Sequence, residues 1–391
     1  MDNTKPTIPY GRQNISEADI AAVINVLRGP FLTQGPTVSM FEKAVAEKVG
    51  AAYGVAVNSA TSALHLACLA LELGPNDWLW TSPITFVASA NCARYCGAKV
   101  DFVDIDPETG LMSINALSKK LEIAERDGKL PKVVVPVHLC GTSCEMESIN
   151  TLAQKYGFVV LEDASHAIGG NYQGQPVGNC KYSSITVFSF HPVKIITTGE
   201  GGLATTNDAK LAQKMAELRS HGITKDVKRF LHQPAGPWSY EQQDLGYNYR
   251  MTDIQAALGL SQLESLDIIV SKRNQQREYY RELLSEMPVD LLSIPDDVLS
   301  SQHLAVIRMA KSQANNHRRV FEGLRAAKIG VQLHYSPVHL QPYYRKFGFG
   351  EGHFPESESY GLSAISLPLY PGLQETEQQY VAYTLKSLLS E

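Results

Sequence analysis

The feature that most constrains this chain is an alternation. Across its first two-thirds, short runs rich in Val, Ile and Phe alternate with longer stretches of helical periodicity. The β-rich runs fall at residues 55–58, 78–82, 99–104, 132–138, 158–162 and 184–190, bounded by Gly, Asn or Pro as strands are. Helical patterns lie between them at 61–73, 89–96, 114–126 and 147–156. Such alternation predicts an α/β fold with a mainly parallel sheet covered on both faces. The texture changes near the middle of the chain. A long helical pattern, with Asp253 as its expected cap, runs to about residue 287 and is broken by Pro288. Beyond it, strand-like segments at 302–309 and 330–334 flank a polar helix around 315–327, which predicts a smaller C-terminal α+β domain. Residues 341–359, rich in Gly, Pro and aromatics, read as an ordered loop.

Composition excludes several functional classes. Of 391 residues, 44% are apolar and 19% charged, ordinary for a soluble globular protein with a sizeable core. A net charge of −5 argues against nucleic-acid binding, which needs surplus cations to displace counterions from phosphates. No apolar run is long enough to span a bilayer, and Met1 to Pro6 lacks the apolar stretch of a secretory signal, so a cytoplasmic location is expected. Cys68, Cys92, Cys96, Cys140, Cys144 and Cys180 include two CxxxC pairs, but a zinc site would want closer pairs and nearby histidines, so no metal is expected.

Three segments carry chemistry. The first is Ser189-Phe190-His191-Pro192-Val193-Lys194, followed by a glycine-rich turn through Gly199, Gly201 and Gly202. A lysine just past a strand is a candidate to bond an aldehyde cofactor, because burial favours its nucleophilic neutral form. The second is Leu161-Glu162-Asp163-Ala164-Ser165-His166, at the strand end where α/β sheets bind ligands. Asp163 there suits a pyridinium nitrogen, and the 31 positions between Asp163 and Lys194 leave room for both to reach one ligand. The third is Asn58-Ser59-Ala60-Thr61-Ser62, a strand-to-helix turn whose amides and hydroxyls form an anion site. Phe86 could stack on a cofactor ring. Singly, each has an ordinary structural alternative: a surface lysine, a loop carboxylate, a plain helix cap or a core phenylalanine.

In this order, the segments resemble the DegT/DnrJ/EryC1/StrS nucleotide-sugar aminotransferases, fold type I enzymes dependent on pyridoxal 5'-phosphate (PLP). The likeness runs from about Ile8 to the C-terminus and includes residues 31–36 and 246–253. It extends to the family's pseudaminic-acid branch through residues 8–13, 78–83 and 334–341, with a departure at Ile84, where that branch carries asparagine. The resemblance implies a large PLP-binding domain over residues 1–265 and a small domain over 266–391. It implies that Lys194 is the Schiff-base lysine, that Asp163 faces the pyridine nitrogen and that His166 neighbours the ring hydroxyl. Thr61, Ser62 and Ser189 then contact the phosphate, Phe86 covers the ring, and Asn248 reaches the phosphate of a partner subunit in a homodimer. Thr33, Gly35, Tyr335 and His339 are expected to line the sugar-nucleotide pocket. The implied substrates are a UDP-linked keto-sugar and L-glutamate. Rival readings are a PLP dehydratase, in which histidine replaces the lysine, a sensor that binds PLP or sugar nucleotide without turnover, and a nicotinamide dehydrogenase. Lys194 disfavours the first, the Lys194–Asp163 pair the second, and the lack of GxGxxG after the first strand the third.

Overall fold

The computed structural model describes residues 7–390; the N-terminal segment judged for a secretory signal and the outermost ends of both expected domains lie outside the described residues. Seven strands build the central sheet: β1 (Tyr53–Val57), β2 (Trp78–Thr81), β3 (Lys99–Phe102), β4 (Val133–Val135), β5 (Val159–Asp163), β6 (Ile185–Ser189) and β7 (Gly202–Thr206). Their order is β1-β7-β6-β5-β4-β2-β3. Strands β6, β5, β4, β2 and β3 pair in parallel, while β7 runs antiparallel to both β1 and β6. Helices cover both faces, so β4, β6 and β7 are buried along their whole length. β7 falls outside the β-rich runs named from the sequence. Its Gly-Leu-Ala-Thr-Thr run follows a glycine-rich turn and contains no Val, Ile or Phe, yet tertiary packing between β1 and β6 makes it a strand.

A second sheet, antiparallel, joins Val289–Leu291, Ala305–Met309 and Ala364–Leu367. Side chains from the helices Leu266–Leu283, His317–Ala326 and Glu375–Ser390 complete its core, including Tyr280, Val320, Leu324, Val381 and Leu385. We propose a division near residue 265, with two exchanges across it. Ile8 bridges Ile329, and Val298–Leu299 pairs with Asn171–Tyr172 of a hairpin that follows β5. Another apolar cluster joins Trp80 and Val134 of the large sheet to Leu304, Val306 and Tyr360.

Three local expectations are corrected. Residues 330–334 form no strand; they contribute only a bridge from Gln332 to Ser366. Residues 341–359 are not all loop, because Pro342–Arg345 is helical and Pro355 opens the helix Pro355–Gly361, each with proline in its first turn. The long helical pattern is two helices, Asp253–Glu264 and Leu266–Leu283, that meet at Ser265.

Asp253 is also not the cap of its own helix. Thr252 is the cap, in a reciprocal capping box with Gln255. The fully buried Asp253 carboxylate instead accepts from the Gly35 and Thr37 amides, each at 2.8 Å. It thereby caps the helix Pro36–Val49, whose N-cap Gly35 has no side chain to do so. A Cβ at Gly35 would lie 2.5 Å from the Phe31 Cβ, so a capping side chain has no room there. Asp253→Ala is expected to lower stability by about 1–3 kcal/mol, because two amides lose their acceptor. Urea unfolding should show a lower midpoint with an unchanged slope.

Candidate active site

The site sits where adjacent parallel strands end. Asp163 is the last residue of β5, and its neighbour β6 ends at Ser189. The chain then turns through His191, whose carbonyl accepts from the Lys194 amide at 2.9 Å. Both side chains open on one cavity of about 730 Å³, within the usual span for small-molecule sites. Thr61, Ser62, Phe86, His166, Ser189 and Tyr335 line the same cavity.

Each wall has a local cause. The helix Ala60–Ala70 starts directly after β1, and its N-cap Ser59 accepts from the Ser62 amide at 3.1 Å. Ser62 Oγ donates to Asn58 Oδ1 at 2.7 Å, which locks the turn. The helix start therefore offers hydroxyls and free amides to an anion. Gly202 of β7 makes this possible. A Cβ at that position would lie 2.4 Å from the Ala60 nitrogen, so only glycine lets β7 pass behind the cup.

Lys194 is half-buried, and loss of water lowers its pKa from 10.5 to about 8, although the nearby Asp163 charge acts the other way. Asp163 is buried. Its Oδ2 accepts from Ser89 Oγ at 2.6 Å, its Oδ1 from the Ser165 amide at 3.0 Å, and Thr85 Oγ1 lies 2.6 Å from Ser89 Oγ. The carboxylate is thus held in one orientation.

Beside Lys194 stand three histidines. The Cys140 amide donates to His166 Nδ1 at 3.2 Å, which puts the ring proton on Nε2, 3.1 Å from the Tyr335 hydroxyl. Burial, then the Lys194 charge, holds His166 well below its ordinary pKa. His303 packs with its ring centroid 4.4 Å from that of His166, and burial lowers its pKa in the same direction. His334 is pushed down to about 4, by burial first and Lys194 second. The site therefore surrounds its lysine with neutral imidazoles.

The other expected residues lie elsewhere in this chain. Asn248 is exposed and outside the cavity, on a bridge to Ser220. Thr33 is exposed and bridged to Thr252, while Gly35 serves the helix start described above; neither lines the cavity. His339 is fully buried, packed on Phe354 and 3.0 Å from Glu358 Oε1, and does not line the cavity either. Sequence reasoning overlooked Tyr10, Ser59, Ser89, His303 and His334. Ser59 was within reach, inside a turn already singled out. Ser89 and His303 carry no local signal, because only the fold brings them to Asp163 and His166.

Tested against these walls, PLP fits. The helix-start hydroxyls and amides suit its phosphate, Asp163 its pyridine nitrogen and Lys194 its aldehyde. Among the described residues no group of three or more His, Cys, Asp or Glu is placed to hold a metal ion. These placements define a PLP-dependent aminotransferase of fold type I. The chain belongs to the DegT/DnrJ/EryC1/StrS aminotransferase family, which matches residues 13–386. It is 38% identical over 387 residues to the UDP-4-amino-4,6-dideoxy-N-acetyl-beta-L-altrosamine transaminase of Campylobacter jejuni, covering 98% of each chain. It is 37% identical over 388 residues to the spore coat polysaccharide biosynthesis protein SpsC of Bacillus subtilis, covering 98% of this chain and 97% of the other. Its structure is similar to that of Helicobacter pylori PseC, an aminotransferase involved in the biosynthesis of pseudoaminic acid, with a TM-score of 0.90, 32% identity and coverage of 98% and 100%. The protein is thus a sugar aminotransferase that uses an amino donor and a sugar-nucleotide acceptor.

The lowered Lys194 pKa has a direct readout. Only the neutral amine attacks an aldehyde, and its share rises with pH through the pKa. The rate at which apoenzyme turns yellow with added PLP should therefore be half-maximal near pH 8, where an ordinary lysine would need about 10.4. Lys194→Ala should show no such rise.

Proposed function

We propose that this enzyme moves an amino group from L-glutamate to C4 of a UDP-linked 4-keto-6-deoxy-N-acetylhexosamine. The product is a UDP-4-amino sugar for pseudaminic acid biosynthesis. The enzyme acts in the cytoplasm as a homodimer, with Asn248 of each subunit completing the other's phosphate cup. The observation that carries transamination is the opening of Lys194 and Asp163 on one cavity. The sugar is supported by likeness over 98% of the chain to the Campylobacter transaminase.

PLP, held there, would supply the electron sink for transamination. The chain's residues do the rest. Ser59, Thr61, Ser62 and Ser189 anchor the phosphate end. Asp163, oriented by Ser89 and the Ser165 amide, holds a proton at the ring nitrogen. Lys194 Nζ, in the neutral form that its lowered pKa makes more available, takes the α-proton of the amino donor. His166, a neutral donor through Nε2, would hold the ring hydroxyl. Phe86 is 58% exposed beside Tyr335, as suits a side chain that closes on a ring. Tyr10 and His334 line the same cavity and can meet the sugar.

A second reading keeps the chemistry and changes the sugar. The Bacillus relative, whose name concerns a spore coat polysaccharide, is almost as similar over a comparable length. Mass spectrometry on a panel of nucleotide keto-sugars with glutamate separates the two. The first reading predicts a C4 amine only from the UDP-linked 4-keto-6-deoxy-N-acetylhexosamine. Amination confined to a 3-keto sugar or another nucleotide would reject it.

A further inference from the structure

Two buried ionisable groups have no part in the chemistry described so far. His138 follows β4 and is fully buried, and Glu162, the residue before Asp163 in β5, is buried too. Neither lines the cavity. His138 Nδ1 accepts from the Cys144 amide at 3.1 Å, and Nε2 lies 2.7 Å from Glu162 Oε2. Glu162 Oε1 accepts from Thr186 Oγ1 at 3.0 Å and from Ser183 Oγ. Burial works against charge on either group, yet Cys144 and Glu162 raise the His138 pKa, while His138, then Ser183 and Thr186, lower that of Glu162. The Cys144 amide decides the state of the ring. A nitrogen that accepts a hydrogen carries none, so His138 is a neutral donor, through Nε2, to an ionised Glu162.

We propose that His138 is a positioning residue for the reaction. Anchored by Glu162, it holds the 3-10 turn Leu139–Gly141 so that the Cys140 amide claims His166 Nδ1 and leaves the His166 Nε2 proton for the cofactor's ring hydroxyl. The inference rests on the reading of the cavity as a PLP site.

The chain of contacts is continuous. The His138 amide donates to the Asp163 carbonyl at 3.0 Å, and the His138 carbonyl accepts from the Gly141 amide at 3.1 Å. Between them Cys140 takes a φ of 60°, a left-handed conformation that a residue with a Cβ holds only where its surroundings impose it. Its amide then meets His166 Nδ1 at 3.2 Å. The far side of the turn is closed by another segment. The Ser301 amide donates to the Gly141 carbonyl at 3.1 Å, the His303 amide to the Cys140 carbonyl at 2.8 Å, and Ser301 Oγ to the His166 carbonyl at 2.7 Å. Of the polar groups around His166, the Tyr335 hydroxyl meets Nε2 and the Cys140 amide meets Nδ1, while His303, His334 and Lys194 stand nearby. The amide is therefore what selects the tautomer. Without His138, the Cys144 amide and the Glu162 carboxylate each lose a buried partner, and the turn between them loses its anchor.

The test follows the His166 tautomer in the full-length protein. Nitrogen-15 NMR of histidine-labelled apoenzyme, with His166→Gln to assign the signal, should show His166 protonated at Nε2 alone. His138→Leu should leave it a mixture of tautomers. With PLP bound, the same variant should raise the pH midpoint of the cofactor's colour change by about one unit, the worth of one hydrogen bond to an anionic oxygen. His138→Gln, whose side-chain amide can accept from Cys144 and donate to Glu162, should restore both the tautomer and the midpoint. Since His138→Leu can also fail to fold, the unaltered protein gives a second reading: at neutral pH His138 should carry one ring proton, on Nε2. A doubly protonated His138 in wild type would overturn the inference, as would a folded His138→Leu with an unchanged His166 tautomer. Failure of the wild type to bind PLP would instead defeat the reading of the cavity, and the apoenzyme tautomers would still decide the role of His138.

Discussion

The structure depends on a tension at one amine. Loss of water around Lys194 favours its neutral form, while the Asp163 carboxylate favours the charged one, and burial prevails. An amine poised in this way can bond an aldehyde and later accept a proton near neutral pH. Strand topology holds the two groups at that balance. β5 and β6 are parallel neighbours, so their ends lie at the same edge of the sheet, and Asp163 and the turn to Lys194 follow from those ends. The neutral imidazoles of His166, His303 and His334 keep further positive charge away from the amine.

Around this pair the fold spends its unusual features on rigid support. Gly202 lets β7 pass within van der Waals reach of the helix start that forms the anion cup. Ser89 reaches from the helix Ala88–Tyr95 to fix Asp163, and Cys140, inside the 3-10 turn Leu139–Gly141, fixes the tautomer of His166 through its amide. Asp253 ties the start of the helix Pro36–Val49 to the helix that follows the site. Every one of these contacts joins separate segments of the chain.

Much of this was legible in the residues themselves. The β-rich runs ending at Asp163 and near Ser189, and the small-residue turn after β1, show in the sequence because strand, turn and helix start each have local chemistry. β7 did not show, since burial between two strands, not its own residues, makes Gly202–Thr206 extended. Asp253 looked like the cap of its own helix because the amides that claim it come more than 200 positions earlier. His339 lies near Tyr335 in the chain, yet the intervening 3-10 turn buries it against Phe354 and Glu358. His303 and His334 joined the site only through tertiary packing of the C-terminal sheet. Local signals thus located the reacting groups and left their supports hidden.

The most direct test of the central claim is to map the covalent attachment. PLP-loaded enzyme, reduced with borohydride and digested, should yield one phosphopyridoxylated peptide, modified at Lys194. A label at another lysine, or spread over several, would contradict the account.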